Sequence, residues 1–198
     1  MGSLGTSTMT TIIMLSGWAG SGKDAAASIL MDELGFQRFA FADPLKHDVA
    51  RETGLSLEHF YSRHLKDCKI EFDGEMITPR ALLIEAAADA RANTPTIYAN
   101  MTADTIQKVG SKRVVISDWR YRNEYETFRT FFGTAKIIRI RIVRPGVSHS
   151  PEPSEHDLDH ESMDIEIMNG GSLSMLRDTL KTLVRPHLST GSLFHIGS

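Results

Sequence analysis

Gly17-Trp18-Ala19-Gly20-Ser21-Gly22-Lys23-Asp24 matches G-x-x-x-x-G-K, and it lies between the apolar run Thr11-Ile12-Ile13-Met14-Leu15-Ser16 and a segment of helical spacing, Lys23 to Leu34. An apolar run with almost no polar interruption suits a central strand covered on both faces. Ala26, Ile29, Leu30 and Leu34 form the inward stripe of the following helix, which Gly35 ends. Glycines in such a turn let backbone N–H groups converge on phosphate oxygens at the positive end of a helix, while a lysine bridges the β- and γ-phosphates. Gly17, Ala19, Gly20, Ser21, Gly22, Lys23 and Asp24 are therefore the expected ATP-binding set, with Mg2+ accompanying the nucleotide. Asp24 stands where a Ser or Thr hydroxyl usually ligates that metal, and a carboxylate there can bind it directly or through water.

The alternation continues downstream. Phe36 to Ala42 reads as a second strand, and Pro44 to Thr53 as a helix capped by Asp43 with proline in its first turn. Thr78 is expected to cap a helix beginning at Pro79, with Leu82, Leu83, Ala86, Ala87 and Ala90 facing inward. Arg80 and Arg91 fall close to three full turns apart, on one face of that helix. Arg113 to Ser117 is a third apolar run, ended by Asp118; Lys136 to Val143 a fourth, half exposed; Asp164 to Met168 a fifth, followed by Asn169-Gly170-Gly171 and a closing helix from Leu173 to Leu188. Five strands alternating with helices imply an α/β fold, a P-loop NTPase-type three-layer sandwich with an open, mainly parallel five-stranded sheet and ligands at its carboxyl end. Asp118, next to the cradle strand, is the second expected metal-side carboxylate.

One domain over residues 1–198 is expected: 198 residues leave little room for a second core. Residues 1–10 read as a flexible tail, 54–77 as an acceptor-side lobe, and 145–162, with three prolines and no Lys or Arg, as a lid. Lys and Arg number 22 against 25 Asp and Glu, a formal charge of -3, which offers no overall attraction to nucleic acid or anionic membrane. A single cysteine, Cys68, excludes an intramolecular disulfide, and no apolar run reaches the roughly 20 residues needed to cross a bilayer. A cytoplasmic protein is expected.

Several short motifs in fixed order resemble those of the P-loop deoxynucleoside monophosphate kinases of phages and other viruses, relatives of the nucleoside monophosphate kinases and of phosphomevalonate kinase. They are the Gly-Lys-Asp end of the cradle, Phe41-Ala42-Asp43-Pro44-Leu45-Lys46, Thr78-Pro79-Arg80-Ala81-Leu82-Leu83, Ser117-Asp118-Trp119-Arg120-Tyr121-Arg122-Asn123-Glu124, Ser154-Glu155 with Leu158, and Asn169-Gly170. The resemblance implies phosphoryl transfer from ATP to a 5′-monophosphate, with Asp43, Lys46 and Arg80 near the acceptor, Arg120 and Glu124 joining from the other side, and Ser154 and Glu155 in the lid. It also implies that Asn169 lies near the donor base; a plain turn is the alternative.

An acceptor phosphate is already anionic, so the chemistry needs cations to hold two repelling phosphates in line more than it needs a base. Arg80, Arg91, Arg120 and Arg122 could supply them. The lid carries His149, His156 and His160 among acidic residues in place of arginines, so Arg144 at its entrance, or Arg139 and Arg141, must provide transition-state charge. His156 and His160 beside Asp157 and Asp159 lack a third convincing metal ligand. Phe60, Tyr61 and Trp119 are candidate base-stacking residues. A small-molecule nucleotide acceptor is favoured and no membrane is expected; a homodimer stays open. So do three alternatives: a kinase of hydroxymethylated bases in DNA, a phosphomevalonate kinase and a non-catalytic nucleotide-binding regulator.

Overall fold

In the computed structural model, which describes residues 9–147 and 156–188, strand β1 (Thr11–Ser16) buries all six of its side chains. Alternate residues of β1 feed two cores. Ile12 and Met14 pack with Phe41, Trp119 and Phe128 on one face of the sheet; Ile13 and Leu15 pack with Leu30, Ile140 and Leu180 on the other. Period-two alternation with both sides covered by helices explains why the run is apolar throughout.

The remaining elements are α1 (Lys23–Leu34), β2 (Gln37–Phe39), α2 (Ala42–Thr53), α3 (Glu58–Tyr61), β3 (Ile70–Phe72), β4 (Glu75–Ile77), α4 (Pro79–Asn93), α5 (Ile97–Val109), β5 (Arg113–Ile116), α6 (Arg122–Phe131), β6 (Lys136–Val143), β7 (Ile165–Met168) and α7 (Leu173–Val184). The main sheet runs β2-β5-β1-β6-β7 and every pairing in it is parallel. From β1 the chain crosses to β2 on one side and later returns to β6 on the other. The carboxyl ends of β1 and β6 thus form the switch point at which open α/β sheets bind ligands.

Three expectations need correction. Strand β2 is shorter than expected because helix α2 already begins at Ala42, placing Asp43 inside the first turn and not at its cap. The cap comes from a distance: the carboxylate of Asp118 accepts the N–H of Phe41 at 2.8 Å and of Ala42 at 2.9 Å. The closing helix stops at Val184 and continues as a 3-10 turn over Arg185–His187, because Pro186 has no N–H to extend the α-helical ladder.

Residues 54–77 fold into α3, a 3-10 turn over Leu65–Asp67 and the antiparallel β3–β4 hairpin, pinned to the molecule by the buried ring of Phe60. Thr78 caps α4 as expected, its hydroxyl accepting the Ala81 N–H at 3.2 Å. Of the expected tail, residues 1–8 lie outside the described residues, as do His149, Ser154 and Glu155 of the expected lid.

Candidate active site

The loop from Gly17 to Gly22 leaves β1 at the switch point and delivers α1, whose cap, Gly22, adopts φ 106. Both ends of the loop exclude a side chain. A Cβ on Gly17 would strike the carbonyl oxygen of Ile142, and one on Gly22 the amide nitrogen of Asn169. Asn169, at the end of β7, donates its side-chain N–H to the Ser21 carbonyl at 2.8 Å and so buttresses the loop from behind. Lys23 Nζ folds over the loop, donating to the carbonyl of Gly17 and, at 2.9 Å, to that of Trp18.

In front of the loop is a cleft of about 340 Å³. Its floor is Gly17 and Ser21; Arg120, Arg141 and Arg144 contribute positive charge, and Trp18, Trp119 and Leu158 apolar wall. Ser21 Oγ is buried without a hydrogen-bond partner. A backbone cradle, an unpartnered hydroxyl and a lysine beside it fit a phosphate chain. Arg141 also donates to the carbonyl of Leu158 and lies 3.6 Å from Glu166, while Arg122 bonds Asp157 and, at 2.9 Å, Glu161. The downstream part of the expected lid, from His156, is therefore anchored, with Leu158 buried in the core.

The residues expected on the acceptor side form two groups. In the first, Asp43 receives the hydroxyl of Tyr61 at 2.9 Å and lies 3.4 Å from Lys46 and 3.5 Å from Arg38, with Lys46 Nζ 4.0 Å above the Tyr61 ring. Partial burial, then the bond to Asp43, pushes the Tyr61 hydroxyl above its ordinary pKa. In the second, Arg80 grips Asp67 through two bonds of 2.6 and 3.1 Å, and that contact holds the Asp67 carboxyl below the usual carboxylate range.

Arg91 does not join Arg80. It lies over Tyr121 (4.7 Å to the ring centre) and Tyr98 (5.5 Å), 4.0 Å from Glu124. Glu124 is buried and accepts the backbone N–H of Arg120 and of Tyr121, each at 3.0 Å, so it orients the segment that carries Arg120. Burial outweighs those bonds and pushes its carboxyl up to about 8. Arg139 is bound to Asp164 by contacts of 3.0 to 3.2 Å, away from the cleft lining. Phe60 is core; Tyr61 is exposed; Trp119 is buried yet lines the cleft.

Asp24 is an exposed carboxylate at the head of α1, 3.2 Å from Arg63. Among the described residues no group of three or more His, Cys, Asp or Glu could hold a metal. One or two carboxylates, with the remaining ligands from nucleotide phosphate and water, are the donor set magnesium prefers; Asp24 offers an exposed carboxylate of that kind beside Lys23, while both carboxylate oxygens of Asp118 accept N–H groups at the start of α2. Sequence reasoning passed over Trp18, Arg38 and Arg63. Trp18 is visible inside the loop motif, whereas the pairings of Arg38 and Arg63 arise only from tertiary folding.

The topology and the phosphate-type cradle define a P-loop kinase, a phosphotransferase. The solved structure of TT1252 from Thermus thermophilus is similar in fold: TM-score 0.51, 17% identity, 92% of this chain and all of that one. Dephospho-CoA kinase from Campylobacter jejuni gives a TM-score of 0.49 at 18% identity, over 92% of this chain and 100% of that one. No family model matches. A protein of Acanthamoeba polyphaga mimivirus named "Putative deoxynucleotide monophosphate kinase" is 32% identical over 177 residues, 82% of this chain and 90% of the relative. The chain belongs to that deoxynucleotide monophosphate kinase family.

Proposed function

We propose that the protein transfers the γ-phosphoryl group of ATP to a deoxynucleoside 5′-monophosphate, giving ADP and the deoxynucleoside diphosphate. The observation that carries this reading is the cleft itself, lined by Gly17 and Ser21 of the phosphate-type loop together with Arg120 and Arg144. The loop amides of Gly17 to Gly22 hold the donor phosphates, and Lys23 turns from the Gly17 and Trp18 carbonyls to the β- and γ-phosphates. Asp24 and Asp118 would hold Mg2+, which when bound neutralises donor charge.

An oxygen of the acceptor phosphate attacks the γ-phosphorus while the bond to the β,γ-bridging oxygen breaks, its electron pair remaining on ADP. The attacking oxygen carries its own charge, so no side chain must remove a proton. Arg120 and Arg144 hold the two phosphates in line. Asp43, Lys46 and Arg80 receive the acceptor from the lobe over residues 54–77, and Arg91 with Glu124 fixes the Arg120 segment. The segment over residues 145–162 serves as the lid and keeps water from the γ-phosphate. Asn169 supports the loop beside the donor.

The purified protein is incubated with ATP, Mg2+ and each of the four deoxynucleoside monophosphates, with products separated by ion-exchange chromatography. Equal ADP and deoxynucleoside diphosphate with at least one acceptor is expected, and Lys23→Ala lowers turnover by about a hundredfold or more. Absence of diphosphate with all four acceptors rejects the reading.

A further inference from the structure

Phosphoryl transfer needs a cation that reaches the equatorial oxygens of the transferring group only as charge develops there. The sequence of residues 145–162 contains no Lys or Arg, so that segment cannot supply one. Most cations near the cleft have carbonyl or carboxylate partners that also hold the fold together. Arg141 ties β6 to Leu158, Arg122 ties α6 to Asp157 and Glu161, and Arg139 ties β6 to Asp164. Arg80 is clamped to Asp67 within the acceptor-side region, and Arg91 packs on tyrosines beside buried Glu124.

Arg63 is different. It follows α3 in the acceptor-side lobe, and its guanidinium reaches across to Asp24, the residue immediately after Lys23, at 3.2 Å. The side chains are 87% and 77% exposed. An ion pair so open to water contributes little to stability, so its arginine can leave at small cost. It is nevertheless held at the head of α1, beside the lysine that would grip the donor's terminal phosphates. The chain just before it is held: Phe60 is buried in the core, Tyr61 is bonded to Asp43, and the N–H of Ser62 donates to the Glu58 carbonyl.

We propose that Arg63 is a further catalytic residue: the acceptor-side lobe delivers its guanidinium to the transferring γ-phosphoryl group, replacing the arginine that the lid lacks. The inference rests on the phosphotransfer reading above. As the acceptor oxygen bonds to the γ-phosphorus and the bond to the ADP oxygen breaks, two N–H groups of Arg63 donate to equatorial oxygens of the group in flight. Asp24 parks the guanidinium at rest and releases it when phosphate oxygens offer a better acceptor pair. Acceptor binding and completion of the catalytic charge set are thereby coupled through one lobe.

The test compares the full chain with Arg63→Ala, Arg63→Lys and, as an exposed-arginine control elsewhere, Arg51→Ala. Arg63→Ala is expected to lower kcat about a hundredfold or more, with ATP affinity by calorimetry changed less than twofold; Arg63→Lys recovers part of the loss and Arg51→Ala none of it. Calorimetry with ADP, Mg2+ and aluminium fluoride, a planar mimic of the transferring group, adds a readout independent of turnover. Wild type binds ADP more tightly when aluminium fluoride is present, and Arg63→Ala removes that gain. An unchanged kcat, or a gain preserved in Arg63→Ala, overturns the assignment. Should wild type phosphorylate none of the four acceptors, the reading of function fails, and the aluminium fluoride titration still decides for or against Arg63.

Discussion

A carboxyl group shut away from water titrates where its surroundings dictate, and Glu124 shows how one residue ties stability to pH. It is buried beneath the Arg120 segment, its pKa pushed from 4.5 to about 8 by burial, against the pull of two backbone N–H groups and Arg91. The folded chain therefore keeps a proton on Glu124 through a range where the unfolded chain has lost it. Its contribution to stability is full below about pH 4.5 and declines as pH rises to about 8. In urea unfolding followed between pH 5 and 8, wild type is expected to lose stability with rising pH more steeply than Glu124→Gln, which has no proton to lose. Parallel pH profiles for the two proteins contradict the assignment.

Helix α2 illustrates how an element can be found in a sequence and its start misplaced. Pro44 and the polar run after it announce a helix, but the acceptor of its first amides is Asp118, which follows β5 far along the chain. No local pattern discloses that partner. Asp118 thus has a structural task, the capping of α2, beyond the metal-side role expected of it. Asp118→Ala is expected to destabilise the fold by about 1–2 kcal/mol through loss of the cap, measured by urea unfolding in the absence of nucleotide. A change below about 0.3 kcal/mol would show the cap to be dispensable. The β3–β4 hairpin and helices α5 and α6 were not read from the sequence for related reasons. The hairpin strands have three residues each, Thr96 makes no side-chain cap at α5, and α6 buries only Glu124 and Phe128.

The parallel sheet and the cradle were legible because both rest on local signals: apolar runs of strand length, glycines at fixed spacing, and a lysine opening a helix. Arg120 and Arg144 could be named from their neighbours, and both line the cleft. Arg80 and Arg91 share a helix face by periodicity, yet Asp67 and Tyr121 draw them into separate clusters. Periodicity fixes direction from an axis, while partners decide reach. No helix among the described residues is long and apolar enough to cross a membrane. The bond from Asn169 to the Ser21 carbonyl spans 148 positions and braces the very turn meant to seize the nucleotide. On a translating ribosome the grip comes late: Ser21 emerges 148 residues before the asparagine that braces it. The Asn169→Ala variant is accordingly expected to bind ATP about tenfold more weakly by calorimetry, the loss of one partly buried hydrogen bond. Unaltered affinity would mean that the turn holds its shape without that brace.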